Sequence, residues 1–466
     1  MFIQRLKLLP ALLAGALELV ASGTAMAAGF AIIEHSAKGI GTAFAGGAAA
    51  AEDTSTVWFN PAGMTKIQGT QIDTVGHIIY PSSDFSNGAS VVNPALTGGA
   101  PVPLPGATGD IDPGVAALVP NFYYVRELRP NLNFGLGVNA PFGLKTTYDG
   151  DWVGRYHALT SSLKTINVNP GLSYNLQNGL SIGGGVSVQY VEARLTNAID
   201  KSSVCIGTVT ANFGAVAVPG ICGPAGLVTP ATPATDGFID LDADDISYGY
   251  NVGILYEFSP ATRIGAHWRS KISHTLKGDA DFTGTGDLAA IFGGGRFTGQ
   301  SASAKVTLPE SLSLSGFHQV NSRLALMADF TWTRWNRFQQ LVIVFDSGHP
   351  TNVTPEEWNN SIRVSGGASY KYNDRWTFRG GLAWDEEPIP NAELRTPRIP
   401  GDDRFWVAIG ASYNHSDKLS FDVGYAHLFV GDVPINNTEV NTGHVLVGTY
   451  DADVNILSAQ LRYRFK

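Results

Sequence analysis

The feature that most constrains the fold is an alternation of apolar and polar residues with a period of two. It is clearest in Leu457–Phe465, where apolar side chains occupy every second position and Ser, Gln and Arg lie between them. This period is typical of a β-strand with one apolar and one polar face. Similar runs begin at Leu180, Leu324, Val407 and Leu419. The chain is therefore predicted to be almost entirely β-strand.

Two architectures satisfy this pattern. A soluble sandwich turns the apolar faces inward, whereas a transmembrane barrel turns them toward lipid. Aromatic residues near strand ends, such as Trp332 and Trp376, suit the interfacial girdle of a barrel. Short turns also alternate with long connections such as 81–113 and 201–240. We therefore predict an all-β, antiparallel transmembrane β-barrel of about fourteen strands.

The N-terminal end is typical of a secretory signal peptide. Arg5 and Lys7 precede an apolar stretch that ends in Ala25-Met26-Ala27, so we expect cleavage after Ala27. A membrane-anchoring helix is the alternative, although Glu18 interrupts the apolar run. Beyond the leader, no window approaches the roughly eighteen continuous apolar residues of a spanning helix.

The low charge content and the negative net charge limit the classes of partner that the chain can bind. Only 15% of the residues are charged and the formal net charge is −9, which argues against nucleic acid as a partner. An exported, weakly charged chain is either a secreted β-protein or an outer-membrane barrel. Its aromatic ending, RYRFK, resembles the C-terminal signal that barrel-assembly machinery reads.

The two cysteines, Cys205 and Cys222, lie in one long connection. An exported protein favours a disulfide between them, and two free, partly buried thiols are the alternative. The same connection carries apolar residues such as Val209 and Phe213. These either mark a partner or greasy ligand, or pack against neighbouring loops.

No motif supports an enzyme. Gly179–Gly183 matches G-x-S-x-G, but it lies inside a period-two run where Ser181 faces the lumen rather than a strand-to-helix elbow. The acidic run at 240–245 lacks the glycine and glutamate of a calcium loop. We expect no catalytic residue, no metal and no cofactor.

Several stretches resemble the FadL/TodX family of outer-membrane transporters for long-chain fatty acids and other hydrophobic compounds. The first is a Gly/Ala-rich segment after the leader, AGFAIIEHSAKGIGTAFAGG, which continues to the tripeptide NPA at 60–62. Further stretches lie at Val138–Leu176, Leu308–Phe317, Ala328–Leu341 and Asp374–Gly410. They follow the family order over nearly the whole mature chain.

This resemblance implies a fourteen-stranded barrel, 67–466, plugged by a small N-terminal hatch, 28–66, after a signal peptide, 1–27. It also implies that apolar extracellular loops collect the ligand and pass it to a pocket near the mature N-terminus. The ligand then leaves sideways, into the membrane, through a gap at a kinked third strand.

The resemblance assigns residues to these parts. The hatch motif is Asn60, Pro61 and Ala62, and the ligand pocket contains Phe30 with Arg194 and Arg363 as candidate basic residues. The lateral-gate kink is Ala140, Pro141, Phe142 and Gly143. A kink there is physically reasonable, because Pro141 cannot donate to a strand ladder and Gly143 offers backbone freedom. A plain bulge at the barrel rim is the alternative.

We therefore predict a monomeric protein of the Gram-negative outer membrane that takes up long-chain fatty acids by facilitated diffusion. Its expected partners are the hydrophobic cargo, outer-membrane lipid with lipopolysaccharide, and the barrel-assembly machinery. Three alternatives remain: the same mechanism with an uncharged hydrocarbon as cargo, a general porin, and a barrel-embedded hydrolase.

Overall fold

A computed structural model describes residues 29–109, 111–293 and 295–465; the predicted leader lies outside these ranges. Within them, a single sheet of nineteen β-segments closes on itself. Closure is made by β1 (Thr70–Asn87), which pairs antiparallel with β2 (Ala117–Arg129) on one side and with β19 (Val445–Arg464) on the other. The predicted barrel is therefore confirmed.

The remaining β-segments follow the chain order around the barrel. They are β3 (Leu132–Asn139), β4 (Gly143–Thr147), β5 (Thr160–Asn175), β6 (Leu180–Ile199), β7 (Gly237–Ser259), β8 (Thr262–Arg269), β9 (Ile272–Thr283), β10 (Gln300–Leu308), β11 (Ser311–Gln319), β12 (Leu324–Thr333), β13 (Gln340–Phe345), β14 (Asn352–Pro355), β15 (Ser361–Lys371), β16 (Trp376–Asp385), β17 (Arg404–Asn414) and β18 (Leu419–Thr438).

Five barrel strands in the described chain are interrupted and contribute two segments each, which reduces nineteen segments to the predicted fourteen strands. The interrupted strands are β3/β4, β8/β9, β10/β11, β12/β13 and β14/β15. In β8/β9, β10/β11 and β12/β13 both halves pair with the same flanking strands or their continuations. In β14/β15, β14 pairs only with β13 among the described strands, whereas β15 pairs with β12 and β16. The interruption between β3 and β4 is described below with the site.

The barrel is apolar outside and polar inside. Along β7 the outward side chains from Ile246 to Phe258 are apolar and exposed, whereas inward Asn251 is buried. Inward positions of β5 and β6, such as Asn167 and Gln189, are also polar and buried. This is the inverse of a soluble sandwich and matches a barrel whose outer face meets lipid. No helix of the described residues is long and apolar enough to cross a membrane.

The described part of the predicted hatch, residues 29–66, lies in the lumen. It contains the short helices α1 (Ala37–Ile40), α2 (Gly47–Ala50) and α3 (Thr56–Phe59) and a 3₁₀ turn, Pro61–Lys66. Together they contact strands around the whole circumference, from β1 and β3 through β8 and β12 to β19. We call residues 29–66 the hatch segment.

The connection between β6 and β7 folds into a compact lobe. It contains α4 (Lys201–Phe213) and α5 (Val218–Ile221), joined by a disulfide between Cys205 and Cys222 with a Cα–Cα distance of 6.0 Å. The lobe has its own small core, which includes Leu227 and also Leu288 of α6 (Gly286–Phe292) in the next long connection. Short 3₁₀ turns complete the described connections at Pro94–Leu96, Ala215–Ala217, Gly223–Ala225, Pro233–Thr235 and Trp335–Arg337.

The structure divides the lobe's apolar residues into a packed set and an exposed set. Val209 is fully buried in the lobe core, so it packs against neighbours. Phe213 and Val216, at the tip, are 70% and 95% exposed. Part of the lobe's apolar surface is therefore buried in its own core, and the rest is exposed to solvent.

Candidate functional site

The third barrel strand is interrupted where the sequence predicted a kink. β3 ends at Asn139 and β4 begins at Gly143, so Ala140, Pro141 and Phe142 stand between them. Below the break, β3 pairs with β2 as far as Val138 opposite Phe122. Above it, β4 pairs with β5, and its only described link toward β2 is an isolated bridge from Thr146 to Gly114, in the connection before β2. The wall ladder between β2 and the third strand is therefore open above the break.

The start of the hatch segment covers this opening from inside. The Ile32 amide donates to the Pro141 carbonyl oxygen across 2.8 Å, and the Gly143 amide donates to the Phe30 carbonyl oxygen across 3.0 Å. On the other side of the opening, the Asn121 side-chain amide on β2 donates to the Glu34 carbonyl oxygen across 3.0 Å. Residues 30–34 thus satisfy backbone groups that the interrupted ladder leaves unpaired.

Phe30 lies in an aromatic cluster next to the break. Its ring centroid is 4.8 Å from that of Trp335, 5.7 Å from Trp358, 6.0 Å from Phe338 and 6.1 Å from Phe142. The ring is buried and faces a cavity of about 110 Å³, which we call the aromatic cavity. Aliphatic side chains from the surrounding strands line most of its wall, among them Leu144, Leu163, Leu195, Leu276, Val306 and Ile343.

Four charged residues belong to this lining: Arg398, Glu356 and the exposed strand residues Asp242 and Asp279. Arg398, from the connection between β16 and β17, is the one cation among the described lining residues, and its Nη1 donates to Ser161 Oγ across 2.9 Å. The connection is held against β4, because Tyr148 Oη donates to the Pro397 carbonyl oxygen across 2.7 Å. Burial lowers the pKa of Arg398 to about 10, which leaves the guanidinium protonated at neutral pH.

Glu356 is the buried acidic member of the lining. It lies between β14 and β15, and its Oε2 accepts a hydrogen bond from Trp358 Nε1 across 3.1 Å. Between these two residues, Glu357 has a φ of +50°, in the left-handed region that L residues rarely adopt. This turn directs Glu356 and Trp358 inward and Glu357 outward to solvent.

Two further spaces adjoin the aromatic cavity. On the side of the lobe, a chamber of about 470 Å³ shares Leu195, Leu341 and Arg398 with it and extends under α4. We call this space the outer chamber. On the other side of the Phe30 cluster lies an inner chamber of about 150 Å³, lined by Phe142, Trp335 and the hatch segment. Phe30 and Trp335 therefore separate the aromatic cavity from the space behind the strand break.

Arg363 lines the inner chamber rather than the aromatic cavity. Its side chain is buried over the Trp406 ring, 4.9 Å from the ring centroid, and its Nη2 donates to the Ala43 carbonyl oxygen across 2.9 Å. Among the described residues, its Nε and Nη1 have no hydrogen-bond partner. Arg363 is thus a buried cation with free donors, but it does not contact the Phe30 cavity.

The prediction that Arg194 lines the pocket is wrong. Its neighbours Ala193 and Leu195 face the aromatic cavity, so strand parity turns Arg194 to the outer surface. There its guanidinium is about half exposed and pairs with Asp240 at 2.6 Å.

The tripeptide Asn60-Pro61-Ala62 lies at the wall on the far side of the hatch segment. Asn60 Oδ1 accepts from the Ala62 amide across 3.0 Å, and Pro61 begins the 3₁₀ turn. Asn60 Nδ2 donates to the carbonyl oxygens of Ala48 and, on β7, Ile254. The tripeptide therefore joins two parts of the hatch segment to the barrel.

The sequence interpretation missed Arg398 and Glu356. Both lie in connections, where no period-two pattern shows which side chains face inward. The stretch around Arg398, RTPRIP, was part of the family resemblance, and its flanking prolines are a signal for a fixed loop. Nothing in the sequence alone indicates the inward turn at Glu357.

Comparison with known proteins supports this architecture. The family model described as outer membrane protein transport protein (OMPP1/FadL/TodX) matches residues 18–465. Outer membrane protein P1 of Haemophilus influenzae is 32% identical over 423 residues, 88% of each chain. The long-chain fatty acid transport protein of Escherichia coli O157:H7 is 30% identical over 437 residues, which is 89% of this chain and 91% of the relative.

Solved structures agree with these relatives. The crystal structure of a Pseudomonas aeruginosa FadL homologue superposes with a TM-score of 0.81 at 27% identity, covering 94% of this chain and all of that one. The Pseudomonas putida toluene transporter TodX superposes with a TM-score of 0.67 at 18% identity, covering 94% of this chain and 99% of the other. The second likeness concerns the fold alone.

Proposed function

The chain belongs to the outer membrane protein transport family (OMPP1/FadL/TodX), and from that premise we propose that it takes up long-chain fatty acids by facilitated diffusion. The protein is a β-barrel of the Gram-negative outer membrane. The observation that carries the fatty-acid assignment is Arg398, a half-buried residue whose guanidinium lies at the edge of a largely apolar cavity. Such a site holds a carboxylate at one point and an alkyl chain along the rest of its length.

The proposed path begins at the lobe. Exposed apolar residues at its tip, and apolar side chains in the outer chamber beneath it, offer surface to a lipid-like molecule. The shared wall then leads into the aromatic cavity, where the alkyl chain packs against Phe30. Each buried CH₂ contributes about 0.8 kcal/mol, so apolar burial alone drives this transfer.

Release is proposed to be lateral, at the break in the third strand. The opening between β2 and β4 is bridged by residues 30–34 and not by the wall itself. Displacing this short stretch uncovers the opening without breaking the rest of the barrel ladder. Arg363, in the inner chamber behind the break, is proposed to contact the head group during this step.

An uncharged hydrocarbon is the second candidate cargo. A specific observation favours it: aliphatic and aromatic side chains form most of the cavity wall, so a cargo without a charged head group can pack against the wall along its whole length. The two candidates share the fold, the path and the exit, and differ only in what the polar end of the cavity binds.

Native mass spectrometry of protein purified without added lipid tests the two candidates directly. A retained fatty acid supports the first, and a retained alkane or aromatic compound supports the second. The matched variants are Arg398→Met, which removes the cavity cation, and Arg194→Met, which removes an outward one. We expect Arg398→Met to weaken fatty-acid binding by roughly 10- to 100-fold, as expected for a charge-assisted hydrogen bond, with Arg194→Met unchanged.

Conductance and hydrolysis measurements separate the other classes of function. A general porin passes small ions freely, whereas a barrel filled by residues 29–66 does not. A hydrolase loses activity when Ser181 is replaced; in the structure this serine accepts a hydrogen bond from Thr65 of the hatch segment, which is a structural contact. We also propose that the protein is monomeric, contacts lipopolysaccharide and is inserted by the barrel-assembly machinery.

A further inference from the structure

The polar end of the aromatic cavity contains an acid as well as a base. Glu356 is 4% exposed, and its Oε2 is fixed by the indole N–H of Trp358, whose ring packs against Phe30. Arg398 enters the cavity from a different connection and is fixed by Ser161. The distance between the two charged groups exceeds the 4.0 Å of an ion pair, so they line one cavity without closing on each other.

This arrangement is unusual for a simple anion site. An ionised Glu356 would repel a carboxylate ligand, and a buried ionised carboxyl is costly unless it is directly paired. A protonated Glu356 has the opposite effect, because its O–H becomes a hydrogen-bond donor. The cavity would then offer a carboxylate two kinds of donor, guanidinium N–H and carboxyl O–H.

We propose that Glu356 and Arg398 together form the head-group site, in which a fatty-acid carboxylate accepts hydrogen bonds from the Arg398 guanidinium and from the protonated carboxyl of Glu356. The cavity therefore takes up a proton from water with the fatty-acid anion whenever Glu356 is ionised in the free protein. This inference rests on the proposed function and adds a specificity residue and a proton to it.

The surroundings of Glu356 favour the protonated form. Burial raises the pKa of Glu356 to about 8, against the lowering effects of the Trp358 hydrogen bond and of the Arg398 charge. Arg334 and Arg337, on the neighbouring 3₁₀ turn, are engaged by Glu310 at 3.1 and 2.7 Å. The remaining acidic lining residues, Asp242 and Asp279, are exposed and opposite each other on β7 and β9.

The backbone at Glu357 provides a second, independent observation. A left-handed conformation at a residue other than glycine costs of order 1–3 kcal/mol, and such strain is concentrated at functional sites. Here its consequence is that the Glu356 carboxyl lines the cavity, while the Trp358 indole, two residues further on, packs against Phe30 and donates to that carboxyl. A Glu356 side chain that served only solubility would face solvent, as the side chain of Glu357 does.

The sign of the pH dependence follows from the raised pKa. Below about pH 8 the free protein already carries the proton, so binding of the anion takes up little; above it, binding must draw a proton from water. Because the pKa of Glu356 lies in the middle of this range, its protonated fraction falls about tenfold between pH 7 and pH 9. The affinity for the carboxylate is expected to fall by the same factor. An uncharged alcohol of the same chain length does not need a protonated Glu356, so its affinity should not change with pH over this range.

The test is titration calorimetry of the full-length detergent-solubilised protein with decanoate and with 1-decanol, from pH 7 to pH 9. Measuring each pH in two buffers of different ionisation enthalpy gives the number of protons taken up. For decanoate we expect uptake to rise with pH toward one proton and the affinity to fall about tenfold. Glu356→Gln should bind decanoate with a flat pH profile and no proton uptake, because its amide donates without titrating.

Glu357→Gln is the matched control: it is the exposed neighbour in the same turn and should behave as the unaltered protein. A flat decanoate profile in the unaltered protein, or an unchanged profile in Glu356→Gln, overturns the inference while leaving fatty-acid binding intact. Absence of decanoate binding at every pH, with decanol still bound, instead overturns the proposed fatty-acid function.

Discussion

Asn60 of the hatch segment donates a hydrogen bond across 2.9 Å to the carbonyl oxygen of Ile254 in the barrel wall. The same amide group donates to the Ala48 carbonyl oxygen across 2.7 Å, and this second hydrogen bond is buried. One side chain thus fixes the fold of the hatch segment and its position against β7. We therefore propose that Asn60 anchors the hatch segment and that its loss leaves the barrel ladder intact.

Asn60→Ala is expected to loosen the hatch segment without impairing barrel assembly. It removes the side-chain donor from the buried Ala48 carbonyl oxygen, which costs about 1–3 kcal/mol locally. Hydrogen exchange should accelerate in residues 29–66 and stay unchanged in the strands, and fatty-acid uptake should fall. Asn359→Ala, at an exposed position, is the control. Unchanged exchange and uptake in Asn60→Ala would reduce the tripeptide to an ordinary turn.

Gly253→Ala tests the same contact from the wall side. A Cβ at this position would collide with Asn60 Oδ1, so the hatch segment must move or tilt. We expect faster exchange in residues 29–66 and lower uptake, with the barrel still resistant to unfolding. Gly316→Ala is the matched control, since a Cβ there meets no atom within 4 Å. Equal behaviour of the two variants would argue against close docking at β7.

The barrel was predictable because its cause is local and repeated. Lipid outside and polar side chains inside impose a period of two on every strand, and a run such as Leu457–Phe465 displays it directly. Strand ends were less predictable: the connection expected from Pro81 begins only after Asn87. Pro81 is tolerated within β1 because β2 pairs with this strand only up to Ile79, which leaves an edge where no donor is needed.

The site was only partly predictable, because its polar groups come from connections and from strand parity. Arg194 is one residue from the cavity wall, and that single step turns it outward. Arg398 and Glu356 are brought in by loop packing and by a strained turn, neither of which has a periodic signature. Phe30 was assigned through the family resemblance, and the structure places it in the cavity lining.

Replacing both Cys205 and Cys222 by serine is expected to loosen only the lobe between β6 and β7. The disulfide restricts the unfolded chain, and for a loop of this length that restriction contributes roughly 3 kcal/mol to the stability of the lobe. Proteolysis should then cut within 201–227 at lower protease concentration, while the barrel keeps its thermal transition. Residues of α4 line the outer chamber, where the proposed path begins. A loosened lobe should therefore weaken ligand capture, so uptake at low fatty-acid concentration should fall more than uptake at saturation. Identical proteolysis of the two proteins would contradict this role.

Phe30→Ala is expected to weaken ligand binding in the aromatic cavity. It removes the ring that contacts Trp335 and Trp358 and enlarges the space in front of them. A lost apolar contact of 1–3 kcal/mol corresponds to about 5- to 150-fold in affinity, measurable by calorimetry with decanoate. Phe429→Ala, on the exposed outer face, controls for the loss of an aromatic residue. Equal affinities in both variants would place the binding site elsewhere.

The lateral exit is tested by locking the hatch segment to the strand break. Ala31 and Phe142 form an antiparallel bridge flanked by the bonds Ile32–Pro141 and Phe30–Gly143, so they are a non-hydrogen-bonded pair. Such pairs bring Cα atoms to about 4.5 Å, within reach of a disulfide. The variant Ala31→Cys/Phe142→Cys is made with the native cysteines replaced by serine.

If cargo leaves through this opening, the oxidised double variant should still bind decanoate but should not transport fatty acid, because residues 30–34 can no longer move from the gap. Reduction should restore transport in the same sample, which separates locking from the loss of the Phe142 ring. The single variants, treated alike, show the effect of oxidation without a cross-link. Full transport by the oxidised, cross-linked protein would exclude the break as the exit and direct the search to another wall segment.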